Sequence, residues 1–596
     1  MNKSKTLALL LSMSMLFAAC GGAKTDNNKA DGNDTKVEEA TGKQTGEGTA
    51  KGNNGDLKAV VTFDGDKIAK IDLTHEETEG LGDKAADKLV DEIIANNSVS
   101  VDTVSGATMT SKAVIEAVKA AIEASGRDVK AFEKEGDAKK GETTEKETDV
   151  VVIGGGGAGF AAAVSAKEAG ANVILVEKLA SVGGNTLISG GEYAAPENDI
   201  QKEEGIKDSK EQFAKDVEEA GGNPELIKVL ADKATEDAYW LRDDIGVKWL
   251  DSLMFFGGHS VKRSLIPADH TGNELIKNYL KKAEKLGIEV LTEADVKEIL
   301  SKDGKVCGIK AETKDGDLIV NAKSVVVASG GFGANAKMCY EYDKEIDEHV
   351  KSTNSPGATG DGILMAEKLG ADTVDMDKIQ LYSVCDVETG KLLYCGDTRL
   401  VGGALLVNKE GKRFVEELGT RREISMAIKK QTDYVGYLLW DETSNEKTGT
   451  MKSNPEEAKS LFDRGLMVKA NTLEELADHF GIDKEALLQT VKSFNENSTK
   501  EKDPEFNLRM LGWQVKDAPF YMMKAAPAVH HTMGGLKINT EAQVLNKDGK
   551  WIEGLYAAGE ATGGIHGSNR LGSVAMADIT VFGKIAGENA AANAKK

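Results

Sequence analysis

The chain is poor in the groups that several common functions require. It has only five cysteines in 596 residues. The four after Cys20, at 307, 339, 385 and 395, fit no zinc spacing, and no Cys-x-x-Cys-His is present to attach a c-type haem. Only Cys385 and Cys395 are near enough in sequence to suggest a pair. Basic residues are in deficit, 75 against 98 acidic, for a net charge of -23, which excludes phosphate-backbone partners such as nucleic acid. Long apolar runs are lacking too. The one at Leu7 to Phe17 is shorter than the ~20 residues that a spanning helix needs.

That run has a context. It follows basic Asn2-Lys3-Ser4-Lys5 and leads through Ala18-Ala19 to Cys20, a secretory signal over 1–19 that resembles a bacterial lipoprotein processing site despite Phe17. The expectation is export and a lipid anchor at Cys20, on the outer face of the cell membrane or in the periplasm. Residues 20–56 hold almost no large apolar side chains, which predicts a disordered tether.

The length predicts three or four domains. A small one is expected over 57–130: a hairpin through Ala59–Phe63, Asp64-Gly65-Asp66 and Ile68–Ile71, then helical spacing over Ala85–Asn96 and Lys112–Ala124. Crowded charge over 131–148 reads as a solvated linker. From Asp149 the order is strand, glycine-rich turn, helix, strand, the opening of a doubly wound α/β fold.

Two glycine-rich segments carry the chemistry. Asp102-Thr103-Val104-Ser105-Gly106-Ala107-Thr108 precedes a helix, where free N–H groups bind phosphate. The alternative is that Thr110 or Ser111 merely caps that helix. In the large domain Val150–Ile153 leads into Gly154, Gly156 and Gly159 in G-x-G-x-x-G register, and Val173–Val176 ends in Glu177, placed to accept ribose hydroxyls. Together these indicate a dinucleotide.

The first segment resembles the Asp-x-x-Ser-Gly-Ala-Thr signature of FMN-binding domains, which implies FMN esterified to Thr108 by a flavin transferase. Ser181–Thr186, Ala328–Phe332 and Gly554–Glu560 resemble motifs of the fumarate reductase and succinate dehydrogenase flavoprotein superfamily. That resemblance implies non-covalent FAD in a Rossmann-like domain (149–376 and 525–596) interrupted by an α+β capping domain (377–524). It implies cofactor contacts from Gly154, Gly156, Gly157, Ala158, Gly159, Glu177, Lys178, Gly184, Asn185, Thr186, Gly190, Gly191, Gly330, Asp361, Gly559, Glu560 and Leu571. The small FMN domain in front is similar to that of extracytoplasmic members fed by an external electron donor, quinol-linked or an extracellular electron-transfer protein.

His530–Gly535 and His566–Gly572 resemble the clamp in which a His and an Arg hold a substrate carboxylate, here His530, with His531 adjacent, and Arg570. Asn408–Arg421 resembles the stretch ending in the arginine that protonates substrate, here Arg421, with Arg422 beside it. Departures are informative. Tyr382 replaces a His that would hold a second carboxylate. Gly396-Asp397 replaces a Thr-Glu pair, Leu400 stands at a relay Arg with Arg399 beside it, and Glu192 replaces a Met. Glu192, Tyr382 and Asp397 together resemble urocanate reductases. The expectation is an enoate reductase acting on a small unsaturated monocarboxylate, most simply urocanate, in anaerobic respiration. The alternatives are fumarate, acrylate or cinnamate as substrate, or a non-catalytic flavin electron carrier.

Overall fold

The computed structural model describes residues 44–596, less 53–54, 78–81, 102, 105–106, 134–140, 402, 499 and 509–511. The signal and anchor at Cys20 lie outside the described residues. Residues 44–596 form one compact unit.

Its first part is a three-stranded antiparallel sheet, Gln44–Lys51, Asp56–Asp64 and Lys67–Thr74, covered by helices Gly82–Asn96 and Thr108–Ala124. Leu57, Val61, Phe63, Leu89, Val114 and Ile122 fill its own core. The expected hairpin is there. The expected tether is not, at least from Gln44, because all of Gln44–Lys51 pairs with Asp56–Phe63. Its glycines, read as a sign of disorder, permit close packing on the long helix: a Cβ on Gly46 would lie 1.8 Å from the Ala121 carbonyl oxygen, and one on Gly48 2.2 Å from that of Ala117. A strand that packs through its backbone needs few large side chains.

The linker expectation is also corrected. Thr144–Ile153 is one strand, and its charged half pairs in parallel with Leu318–Ala322, so the large sheet begins at 144. In that sheet Thr144–Ile153 lies between Gly316–Val327 and Val173–Val176, all parallel, with Glu289–Leu291 beyond. Helix Gly157–Glu168 is buried on nearly every side, because the C-terminal helix Val574–Ala594 packs on it through Gly583 and Gly587. A Cβ on Gly587 would lie 2.1 Å from the Ala162 carbonyl oxygen.

The cap is built around Phe520–Thr532, a 13-residue strand that pairs with Ile379–Cys385, Gly436–Asp441 and Met467–Ala470. The boundary expected at 524/525 falls inside this strand. Its first half packs in the cap core, and its last residues, His530 to Thr532, reach the large domain. Cys385 and Cys395 are both buried free thiols, not a disulfide. No helix among the described residues is long and apolar enough to cross a membrane. No metal-holding cluster of His, Cys, Asp or Glu occurs among them either.

Candidate active site

One cavity of about 550 Å³ runs from the glycine turn at 154–158 to the cap. At the first end the backbone sets its shape. Gly154 has φ +106°, and a Cβ there would press on Ala328 and Ser329, whereas one on Gly156 would meet no protein atom nearer than 3.8 Å. Gly156 therefore opens onto space that a bound group fills, at the N-terminus of Gly157–Glu168, where free N–H groups attract a pyrophosphate. Glu177, at the end of its strand, accepts N–H bonds from Gly155 and Leu179, both at 2.8 Å. Lys178 pairs with Asp361 at 2.6 Å. Asn185 donates to Asn354 and Glu560 and accepts from the Ser355 N–H. Thr186 accepts from the Gly157 N–H. Gly184, Gly190, Gly191 and Gly330 complete the wall. The donor set and the open cradle fit FAD.

Three expected contacts stand back from the cavity. A Cβ on Gly159 would lie 1.9 Å from the Gly154 carbonyl oxygen, and one on Gly559 2.8 Å from the Ala158 methyl, so both glycines act by allowing close packing. Leu571 is buried against Gly258 and does not line the cavity.

At the other end the same cavity is lined by Glu192, Tyr382, Asp397, Arg421, His530 and Arg570, with His531. Residues from 192 to 570 in sequence thus meet on one wall. The side chain that organises them is one that sequence reasoning passed over. Gln380 accepts on Oε1 from Arg421 at 2.9 Å and from Arg570 at 3.0 Å, and donates to Asn569 and to the Arg570 carbonyl. One oxygen therefore holds two guanidinium groups side by side. The Arg421 guanidinium also lies 4.9 Å from the Tyr382 ring centre, a cation–π contact. Arg570 Nε is buried with no partner, an open donor. Burial first, then the Arg421 charge, disfavours the charged state of Arg570, so an anion between the two is strongly favoured. Arg422 points elsewhere, pairing with Asp343 and Glu345.

Burial and the neighbouring Arg570 and Arg421 charges push both His530 and His531 far below the usual imidazole range, so both rings are neutral. His530 contacts the Thr353 hydroxyl at 2.9 Å and tilts against Tyr382. His531 meets His566 edge-on, and its Nε2 has no partner.

The acid end is a hydrogen-bonded unit. The Tyr382 hydroxyl donates to Asp397 at 2.7 Å. Burial raises the proton affinity of both Asp397 and Glu192, and Asp397 raises that of Glu192 further. Tyr394, absent from the sequence reading, also lines this end. Leu400 is 38% exposed, while Arg399 is buried and donates to the Glu417 carbonyl, with Asp397, Tyr382 and Arg421 as its electrostatic neighbours.

Thr108 opens helix Thr108–Ala124, and its side chain lies outside the described residues, as do Asp102, Ser105 and Gly106. Neither Thr110 nor Ser111 caps the helix, which starts four residues earlier than the spacing suggests. Thr110 donates to Glu77 at 2.5 Å, and Ser111 accepts from the Val104 N–H and donates to the Ala107 carbonyl. The small domain meets the cavity's rim: Glu77 is an electrostatic neighbour of the rim residue Lys391, Lys88 pairs with Glu293, and Ala180 packs on the small-domain core.

Residues 149–576 match the family described as FAD binding domain, and residues 52–123 match the FMN-binding domain. The chain belongs to this FAD-binding flavoprotein family. Urocanate reductase of Eggerthella lenta is 44% identical, over 92% of this chain and 93% of that one. Fumarate reductase (cytochrome) of Shewanella frigidimarina is 38% identical, over 75% of this chain and 78% of its own length. The open conformation of a flavocytochrome c3 fumarate reductase superposes with a TM-score of 0.69 at 36% identity, covering 78% of this chain and 84% of that one. The protein is a flavin-dependent oxidoreductase of CH–CH groups that binds FAD and FMN.

Proposed function

We propose that this protein is an extracytoplasmic urocanate reductase, converting urocanate to imidazole propionate as a terminal reductase in anaerobic respiration, and anchored by lipid at Cys20. The observation that carries the reading is the mixed charge of the cavity beyond the cofactor end, where two guanidinium groups and two buried carboxyl groups line it together with Tyr382 and Tyr394. A substrate with one carboxylate and one N–H-bearing ring satisfies both kinds of group. A dicarboxylate does not. A second carboxylate about 4 Å from Glu192 or Asp397 costs about 4 kcal/mol at an effective dielectric of 20.

Bound FAD supplies the hydride to the β-carbon. Arg570 and His530 hold the carboxylate, and the Arg570 Nε donor strengthens its hold as charge develops on the oxygens, an effect worth ~3–4 kcal/mol per donor in related chemistry. Arg421, fixed by Gln380 and Tyr382, protonates the α-carbon. Asp397 and Arg399 return its proton. Glu192 and Asp397 accept from the imidazole. Thr108, on the domain that abuts the cavity rim, would hold FMN by an ester, and FMN there would supply the entry point for electrons from an external donor.

With reduced viologen as donor, urocanate turnover should exceed that of fumarate, acrylate and cinnamate in kcat/KM. A preference for fumarate would sink the substrate reading and leave the enzyme class intact. No turnover with any enoate would favour an electron carrier. Thr108→Ala, made with a flavin transferase present, should lose gel fluorescence and keep dissociable FAD.

A further inference from the structure

The short turn Tyr394–Asp397 carries two of the residues at the acid end of the cavity. It has no cap of its own, since Leu393 precedes it and offers no side-chain acceptor. Its first two N–H groups go instead to one distant carboxylate. Glu457, in helix Pro455–Asp463, accepts from the Tyr394 N–H at 3.0 Å and from the Cys395 N–H at 2.6 Å. Glu457 does not line the cavity.

The other sides of the turn are closed. A Cβ on Gly396 would lie 2.3 Å from the Val384 side chain, so the turn is already against strand Ile379–Cys385. The Thr398 and Thr450 hydroxyls share a 2.6 Å hydrogen bond and lie 3.0 and 3.4 Å from the Cys395 carbonyl, which accepts from this pair. The carboxylate is thus the acceptor that fixes the leading edge of the turn. A carboxylate suits two adjacent N–H groups because each oxygen accepts. An amide of the same shape has one acceptor, and its NH₂ meets a second donor.

We propose that Glu457 is a positioning residue for the substrate's ring: it sets how far Tyr394 and Asp397 project into the cavity, and so selects a heteroaromatic ring at that end. The inference rests on the urocanate reading. It concerns binding of the ring, apart from the proton return that Asp397 serves for every substrate alike.

The test is Glu457→Gln in the full-length, FAD-loaded protein. KM and kcat are measured for urocanate and for acrylate, which has the carboxylate and double bond without the ring, together with amide hydrogen exchange at Tyr394 and Cys395. An unpaired buried donor costs ~1–3 kcal/mol, so the urocanate KM should rise about ten-fold or more and both amides should exchange about ten-fold faster. The acrylate KM should stay within about two-fold, since acrylate has no ring to be held, and any fall in kcat that follows from moving Asp397 should be equal for the two substrates. Equal rises in KM for the two substrates, or an unchanged urocanate KM with the amides freed, would overturn the proposal. Should Glu457→Gln fail to load FAD, Thr450→Val loosens the same turn from its opposite side and has to give the same urocanate-selective rise; an unselective loss overturns the proposal equally. A wild-type preference for acrylate or fumarate defeats the urocanate reading before any variant is compared, and amide exchange then decides the role of Glu457 alone.

Discussion

The two ends of the cavity are made of different material. The cofactor end is shaped by backbone: glycines at 154, 159 and 559 leave no room for a Cβ, and the one at 156 leaves room that the protein does not fill. The substrate end is made of charged and polar side chains, with one amide oxygen between two guanidinium groups and a phenol on a carboxylate. A backbone site fails when an atom is added, and a side-chain site fails when a charge is removed.

Substitutions can break that contrast. The largest effect is expected at the glycines. Gly159→Ala should yield no stable FAD-loaded protein, since its Cβ would fall 1.9 Å from a carbonyl oxygen, whereas Gly156→Ala should fold and melt as the apoprotein does but bind FAD weakly. Flavin absorbance and thermal melts separate the two, and equal behaviour would end the distinction between packing and contact glycines.

Next comes the proposed proton donor. Arg421→Ala should lower kcat by about 10³ with FAD retained, within the range for a general acid. Arg422→Ala removes the pairs with Asp343 and Glu345 and a long 3.5 Å bond to the Ile379 carbonyl, and should cost about 1 kcal/mol of stability or less, with activity near wild type. A dead Arg422→Ala and an active Arg421→Ala would shift the assignment by one residue.

A smaller effect is expected at Glu192. Glu192→Gln keeps the shape and removes a charge, so the ratio of urocanate to fumarate kcat/KM should fall by about 10- to 100-fold. An unchanged ratio would show that this carboxyl does not read the ring.

The smallest effect is in stability against pH. His530 and His531 have folded-state proton affinities depressed below the usual 6.5. Below pH 6.5 the unfolded chain takes up protons that the folded chain does not, so their contribution is present above that pH and is lost as pH falls. The slope is up to about 1.4 kcal/mol per pH unit for each group. Glu192 and Asp397, raised by burial, act in the opposite sense, so the measurement is the difference between wild type and His531→Asn. The variant should lose less melting temperature between pH 6.5 and 5. Parallel curves would place a charged imidazole in the folded protein.

Much of the site was legible because its residues sit in short motifs. Gly154 to Gly159, with Glu177 one strand later, announce a dinucleotide through local spacing alone. The clamp and proton donor came from motif resemblance, and the structure brings His530, Arg570, Arg421, Tyr382, Asp397 and Glu192 to one cavity. What escaped was reached across long separations. Gln380 carries no signal of its own two residues before Tyr382, and nothing local shows that its oxygen meets an arginine 190 residues away. Tyr394 and Glu457 carried no signal. The strand Gln44–Lys51 was misread because low hydrophobicity marks disorder and close backbone packing alike, and only the helix that lies on it tells them apart.

By itself the sequence determined the order of domains, the strand and glycine turn suited to a dinucleotide, the resemblance to FMN domains around Thr108, and the types of charged group available to a substrate. These depend on neighbours along the chain, where period and steric limits act directly. Tertiary structure alone decided that Gln380 holds Arg421 beside Arg570, that Asp397 is bonded to Tyr382, that Glu457 supports the turn beneath them, and that Cys385 and Cys395 stay apart. A hydrogen bond is decided by angles and tenths of an ångström between groups that the chain brings together only once it has folded.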